Sequence, residues 1–287
     1  MTASQPITPE LRTWIIEQAS AGVSAENVFK AMCEAGWNPD VAESAMETVL
    51  TAHLNHIHGA NTELSTIIHR PLPEPALVNS PGTIDVGDRH VTVLMNMKFP
   101  RVVVFGNLLS DEECDALIDA AKPRMKRSLT VETQTGGEEV NIDRTSDGMF
   151  FQREETPVVA TLERRIAKLL NWPEHYGEGL QVLHYRPGAE YKPHYDYFDP
   201  TQPGTPTILK RGGQRVGTLV IYLNNPEAGG GTSFPDVQLE VAPRKGNAVF
   251  FSYAAPDPST KTLHGGSPVV RGEKWIATKW LREGEFK

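Results

Sequence analysis

His194, Asp196 and His264 are the residues of this chain whose types and spacing most directly suggest chemistry. The first two stand in the run Glu190-Tyr191-Lys192-Pro193-His194-Tyr195-Asp196-Tyr197. On an extended strand, residues two apart point to the same face. The imidazole of His194 and the carboxylate of Asp196 can therefore reach one point in space. His264, in Thr262-Leu263-His264-Gly265-Gly266, supplies a second imidazole 68 positions after Asp196. Two imidazoles and one carboxylate on one face of an octahedral ion leave the opposite face open, an arrangement that suits non-haem Fe(II). A His-x-Asp pair does not by itself establish a metal site, so the surroundings must decide.

Such residues need a scaffold, and the pattern from about His90 onward describes one. Val102–Phe105, Met149–Phe151, Leu180–Tyr185, Val216–Asn224, Leu239–Ala242, Asn247–Tyr253 and Lys274–Arg282 read as strands. Pro187-Gly188, Gly212-Gly213, Gly229-Gly230-Gly231 and Gly265-Gly266 punctuate them as turns. Two helices precede most of the strands. Ser110 with Glu113 forms a capping box for one, which Pro123 ends, and Thr156-Pro157 starts the other. Glu132–Asp143 is polar, glycine-bearing and aperiodic, hence a surface loop. The expected fold is mainly β, a double-stranded β-helix or jelly roll with supporting helices, spanning residues 90–287.

Residues 1–60 read as a small α-helical module of three helices, similar to ubiquitin-associated-type bundles. Thr8-Pro9 and Asn38-Pro39 each place a capping residue before a proline at the first helical position, and Ser24 can cap a helix between them. Val28, Ala31, Met32 and Ala35 make one apolar stripe; Val41, Ala42, Ala45, Met46 and Val49 make another. Residues 61–89, with Pro71, Pro73, Pro75 and Pro81, are expected to form an extended linker or a strap on the next domain. His53, His56, His58 and His69 lack acidic or thiolate company and read as the polar end of a helix rather than a metal site.

The net charge is −8, and no basic run is longer than a few residues, which argues against a nucleic-acid partner. Cys33 and Cys114 sit in apolar helical patterns and read as buried free thiols. The start of the chain shows neither the basic segment nor the apolar core of a signal peptide. No window approaches the ~18 consecutive apolar residues of a membrane span. The expectation is a cytoplasmic protein with no membrane association.

Ten positions after His264, Lys274 opens Lys274-Trp275-Ile276-Ala277-Thr278-Lys279-Trp280. Arg144-Thr145-Ser146, residues 180–198, Gly213-Gln214-Arg215-Val216, Tyr222-Leu223 and Gly229–Pro235 complete a series in fixed order. From about Val103 to Glu283 the chain resembles the catalytic domain of the prolyl 4-hydroxylases, which depend on Fe(II) and 2-oxoglutarate. The resemblance implies the same jelly roll, with Fe(II) held by His194, Asp196 and His264. It implies that 2-oxoglutarate chelates the metal through its C1 carboxylate and C2 ketone, leaving a position for O2, with ascorbate as a reductant. It places Lys274 on the distal C5 carboxylate, where a buried cation is needed because an unpaired charge in a low-dielectric pocket is expensive. Thr232, Tyr185 and Tyr222 map onto the same cosubstrate pocket. Arg215, Tyr191 and Trp280 map onto the substrate side, and Arg144 is a further matched position. One departure is Gly231, which stands where an acidic residue is common.

The activity so implied is hydroxylation of a prolyl residue, at C4, in a peptide or protein, with the N-terminal module offering a surface to a protein partner. Two alternatives stay open at this point. The same machinery could hydroxylate a free amino acid or another residue type, or the jelly roll could be a non-catalytic metal-binding protein. A halogenase is disfavoured, because that chemistry needs a vacancy where Asp196 stands.

Overall fold

The computed structural model describes residues 7–20, 23–50, 71–79, 81–128, 130–131, 138–139 and 145–287. The four histidines His53, His56, His58 and His69, the span expected as a loop over Glu132–Asp143 apart from residues 138–139, and Arg144 lie outside them. The chain divides into two compact units, Met1–His69 and Arg70–Lys287.

In the first unit, α1 (Pro9–Ser20), α2 (Ala25–Glu34) and α3 (residues 39–50) start where short polar side chains can take up unpaired backbone N–H groups. Thr8 accepts from the Leu11 amide, Ser24 from Asn27 and Asn38 from Asp40. The apolar stripes converge on one small core of Ile15, Val28, Met32, Ala42, Ala45, Met46 and Val49.

The second unit opens with β1 (Thr83–Asp85), β2 (His90–Met97) and β3 (Arg101–Gly106). Helix α4 (Asp111–Ala121) follows, then β4 (Lys126–Arg127), β5 (Thr130–Val131), β6 (Glu138–Glu139) and β7 (Asp147–Phe151). Beyond helix α5 (Pro157–Leu169) the chain is almost wholly strand and turn. It runs through β8 (Leu180–Tyr185), β9 (Tyr191–His194), β10 (Arg215–Tyr222), β11 (Ala228–Gly229), β12 (Thr232–Phe234) and β13 (Leu239–Val241). β14 (Ala248–Ser252), β15 (His264–Gly266), β16 (Val269–Arg271) and β17 (Lys274–Arg282) complete it. The Ser110–Glu113 capping box is present at α4, and Thr156 caps α5. The first strand, β1, lies upstream of the His90 boundary expected from the sequence, and pairs with β2.

A large antiparallel sheet runs β1-β2-β3-β14-β10-β17-β8-β7-β4, and a small one runs β13-β12-β15-β9. Strand alternation gives the large sheet two apolar faces. Phe250, Leu219, Ala277 and Val182 turn toward Leu117, Leu162 and Ile166 of α4 and α5. Phe251, Val220, Ile276 and Leu183 turn the other way and meet Phe234 and Val241 of the small sheet. This is the jelly roll with supporting helices. The interior strand β17 of the large sheet is buried at every residue, because helices cover one face and the small sheet the other. Among the described residues, no helix is long and apolar enough to cross a membrane.

Candidate metal centre

The register of β9 against β15 places His194 opposite His264. Their ring centroids lie 4.4 Å apart. Asp196 is not on the strand: β9 ends at His194, and the chain bends before the carboxylate. The three groups converge nonetheless. Asp196 Oδ1 is 3.4 Å from His194 Nε2, and Oδ2 is 3.4 Å from His264 Nε2. One donor atom from each residue lies within 4.8 Å of the others, the metal-capable group of this kind among the described residues.

The ring tautomers suit a metal. His194 Nδ1 lies 2.8 Å from the Lys192 carbonyl and His264 Nδ1 lies 3.0 Å from the Thr262 carbonyl. A carbonyl only accepts, so each Nδ1 carries the hydrogen and each Nε2 turns a free lone pair toward Asp196. Burial and the His264 ring push the His194 pKa down, which favours the neutral, ligating form. Burial opposes the charge on Asp196, yet attraction to the His264 ring and the hydrogen bonds that either ring donates when its Nε2 is protonated hold its carboxyl well below the ordinary carboxylate range, a role that a bound cation would take over from those protons. Two neutral nitrogens and one carboxylate oxygen fit Fe(II) in a facial set.

Beside the triad lies a cleft of about 420 Å³, its open mouth included, walled by Tyr185, Tyr191, Thr232, Lys274, Thr278 and Trp280. Lys274, Thr278 and Trp280 are two or more residues apart on β17 and share its inner face. The Lys274 side chain is only 2 % exposed. No carboxylate stands within ion-pair distance of it among the described residues, and Tyr185 presents a ring face 5.3 Å away. Burial lowers its pKa to about 8, with the charge of Glu240 opposing. Tyr222 is fully buried behind Thr232 rather than on the cleft wall, and its hydroxyl donates to Thr232 Oγ1 at 2.7 Å. Thr232 therefore keeps its own hydrogen for the cleft. At Gly231 a Cβ would stand 2.2 Å from Glu240 Oε1, so the Glu240 side chain occupies the space that a larger residue would need.

Of the residues expected on the substrate side, Tyr191 stacks on the His194 ring, 3.7 Å between centroids. Trp280 lines the cleft and carries the Arg215 guanidinium over its ring at 4.0 Å. Arg215 is not on the cleft wall. It forms a two-point pair with Glu178 at 2.7 and 2.9 Å and also donates to the Asp196 carbonyl at 3.3 Å. Arg282 Nε approaches the same Glu178 oxygen at 2.7 Å. Arg215 thus builds the site from behind. Of the Arg-Thr-Ser run, Thr145 binds the backbone of Glu190, and Ser146 is buried against Ser128. Glu178, Thr218 and Tyr253 are the residues of the site that sequence reasoning missed. Only a charged residue at the entry of the apolar strand β8 could have signalled the first.

The family model of the 2OG-Fe(II) oxygenase superfamily matches residues 180–282. The chain is 40% identical over 248 residues to a probable prolyl 4-hydroxylase 3 of Arabidopsis thaliana, covering 79% of this chain and 84% of the relative. It is 42% identical over 210 residues to the prolyl 4-hydroxylase 5 of the same plant, covering 66% of this chain and 70% of the relative. Among solved structures, a viral collagen prolyl hydroxylase from Paramecium Bursaria Chlorella virus-1, in complex with 2OG, is 33% identical. That likeness covers 63% of this chain and 95% of the other, with a TM-score of 0.48.

Proposed function

The chain belongs to the prolyl 4-hydroxylases of the 2OG-Fe(II) oxygenase superfamily, and on that footing we propose that it hydroxylates proline, at C4, within a polypeptide. The observation that carries the reading is the Lys274 ammonium, buried in the cleft that also holds the triad with no carboxylate at ion-pair distance among the described residues. A buried cation calls for an anion, and the triad calls for exogenous ligands on its open face. A short dicarboxylate answers both demands at once.

Bound Fe(II) and 2-oxoglutarate supply the oxidising chemistry, in which one atom of O2 enters the substrate C–H bond and the other leaves in succinate, with loss of CO2. The chain's own residues do the placing. His194, Asp196 and His264 hold the metal by one face. Lys274 pairs with the distal carboxylate, and the Thr232 hydroxyl, aligned by Tyr222, adds a second donor. Tyr185 shields the Lys274 ammonium from water. Trp280 and Tyr191 give the pyrrolidine ring apolar walls beside the triad.

Arg215 favours a polypeptide over a free amino acid. A free amino acid needs a cation for its carboxylate, and Arg215 already spends its charge on Glu178. A non-catalytic relic is disfavoured by the presence together of all three ligands and the carboxylate anchor. Ascorbate is proposed as the reductant that keeps the metal ferrous. The helical module of residues 1–60, which carries none of these groups, is proposed as a docking element for a protein partner. The test is to supply proline-rich peptides and free L-proline separately and locate added oxygen by mass spectrometry. Hydroxylated peptide is expected; oxidation of the free amino acid alone, with peptides inert, overturns the reading.

A further inference from the structure

Nothing within the triad chooses between the oxygens of Asp196. Oδ1 faces His194 and Oδ2 faces His264, each at 3.4 Å. The choice matters, because an octahedral ion held by three protein atoms keeps three open positions. On the reading above, 2-oxoglutarate takes two of them and O2 the third. A second Asp196 oxygen on the metal would fill the last.

Thr218 breaks the symmetry. Its Oγ1 donates to Asp196 Oδ2 at 2.8 Å, and the Tyr253 hydroxyl lies 3.1 Å from the same Oγ1. A carboxylate only accepts, so the single threonine hydrogen is committed to Asp196. The Tyr253 contact must then run from phenol to threonine. Two hydroxyls therefore point in series at one carboxylate oxygen, each polarising the next.

The pair is also rigid. Thr218 is fully buried in β10, opposite Phe251 on β14 and Trp280 on β17. Tyr253, 2 % exposed, directly follows β14, and its amide is tied to the Val216 carbonyl at 3.2 Å. Its ring packs edge-on to Tyr197, 5.9 Å between centroids. Burial, reinforced by the charge of Asp196, raises its phenol well above the ordinary value, so it remains a donor.

We propose that Thr218 and Tyr253 form a hydrogen-bonded strut that holds Asp196 to ligation through one oxygen, Oδ1, and so keeps a coordination position open for O2. They are positioning residues acting through Asp196, and the proposal rests on the metal-and-cosubstrate reading above.

The test uses the full chain, freed of metal and titrated with Co(II), whose visible d–d bands report coordination. Thr218→Val removes the hydroxyl at nearly constant volume, Thr218→Ser keeps it, and Tyr253→Phe removes the outer donor while keeping the ring. Loss of such an outer-shell partner typically costs roughly 10–100-fold in metal affinity. Thr218→Val should show that loss together with altered band intensity and weaker 2-oxoglutarate binding to the Co(II) form. Thr218→Ser should restore all three readouts, and Tyr253→Phe should fall between. Thermal melting followed by circular dichroism checks that each variant is folded. Unaltered Co(II) affinity and spectrum in Thr218→Val, or in Tyr253→Phe if the valine variant does not fold, overturn the strut. Co(II) held as tightly by Asp196→Ala as by the unaltered chain would overturn the metal-site reading itself.

Discussion

Replacing Lys274 by methionine should stabilise the metal-free, cosubstrate-free protein while nearly abolishing 2-oxoglutarate binding. The side chain is 2 % exposed, and burial lowers its pKa from 10.5 to about 8. At 1.36 kcal/mol per pH unit, that lowering corresponds to up to about 3 kcal/mol against the charged form in the folded state. The folded pKa lies below the unfolded one, so between pH 8 and 10.5 the unfolded chain binds more protons. The penalty is thus fully present below pH 8 and relieved as pH rises toward 10.5. Methionine keeps most of the stem packing without the charge. In a unit of this size, roughly 2–4 °C of melting temperature accompanies each kcal/mol. The unliganded Lys274→Met protein should therefore melt several degrees higher at pH 7. In the bound state the balance reverses, because removing one partner of a buried charge pair costs roughly 3–5 kcal/mol, at least a hundredfold in Kd. The unaltered protein should bind 2-oxoglutarate with constant affinity below pH 8, then lose about tenfold per pH unit above it as the free lysine deprotonates. The variant should show no such break. Calorimetric titration across pH 6.5–9.5 and melting of the unliganded forms provide the measurements. A variant that binds 2-oxoglutarate as the parent does, or that melts lower without it, would refute the reasoning.

Glu178→Gln should leave Arg215 and Arg282 buried with no carboxylate between them, and cost roughly 3–5 kcal/mol of stability. Denaturant unfolding measures this, and loss of Arg215 from the Trp280 face should lower peptide turnover more than uncoupled 2-oxoglutarate decarboxylation. An unchanged unfolding midpoint would show the pair to be incidental. A chain beginning at Arg70 should keep metal-dependent 2-oxoglutarate decarboxylation. One beginning at His90 should melt lower, because it loses β1 and the Glu74–Arg101 pair. Loss of decarboxylation in a folded chain from Arg70 would place functional groups in the helical module.

What was legible in the sequence, and what was not, divides along a physical line. Local rules found the helix starts at Ser24, Ser110 and Thr156, because a cap acts within one turn. Turn residues and apolar runs found the main strands. Residue chemistry singled out His194, Asp196 and His264, even though Asp196 proved to lie past the strand that was meant to orient it. The partners of buried polar groups could not be read. Arg215 meets Glu178 from 37 positions away, and Thr218 meets Asp196 from 22, through the tertiary fold and not through any local pattern. Periodicity says which face a residue occupies but not which side chain waits there. Tyr222 shows the same limit: the resemblance maps it onto the cosubstrate pocket, while the structure puts it behind Thr232.

Strand β17 shows why the chemistry nevertheless depends on that periodicity. Lys274, Ile276, Thr278 and Trp280 alternate into the cleft, while Trp275, Ala277, Lys279 and Leu281 face the helices. At ~3.3 Å per residue, the six steps from Lys274 to Trp280 span ~20 Å. The proposed anchor for the distal carboxylate therefore sits at one end of the cleft wall and the proposed substrate-side indole at the other. Slipping the pairing of β17 by one residue would turn the ammonium and the indole together out of the cleft. The buried Lys279–Glu163 pair, which ties the opposite face of the strand to α5, resists that slip. Buried at 2 % and 0 % exposure, it would be broken by any shift that moved Lys279 off Glu163. Register on the helix side thus protects the spacing of chemical groups on the other side, through a residue that never touches the site.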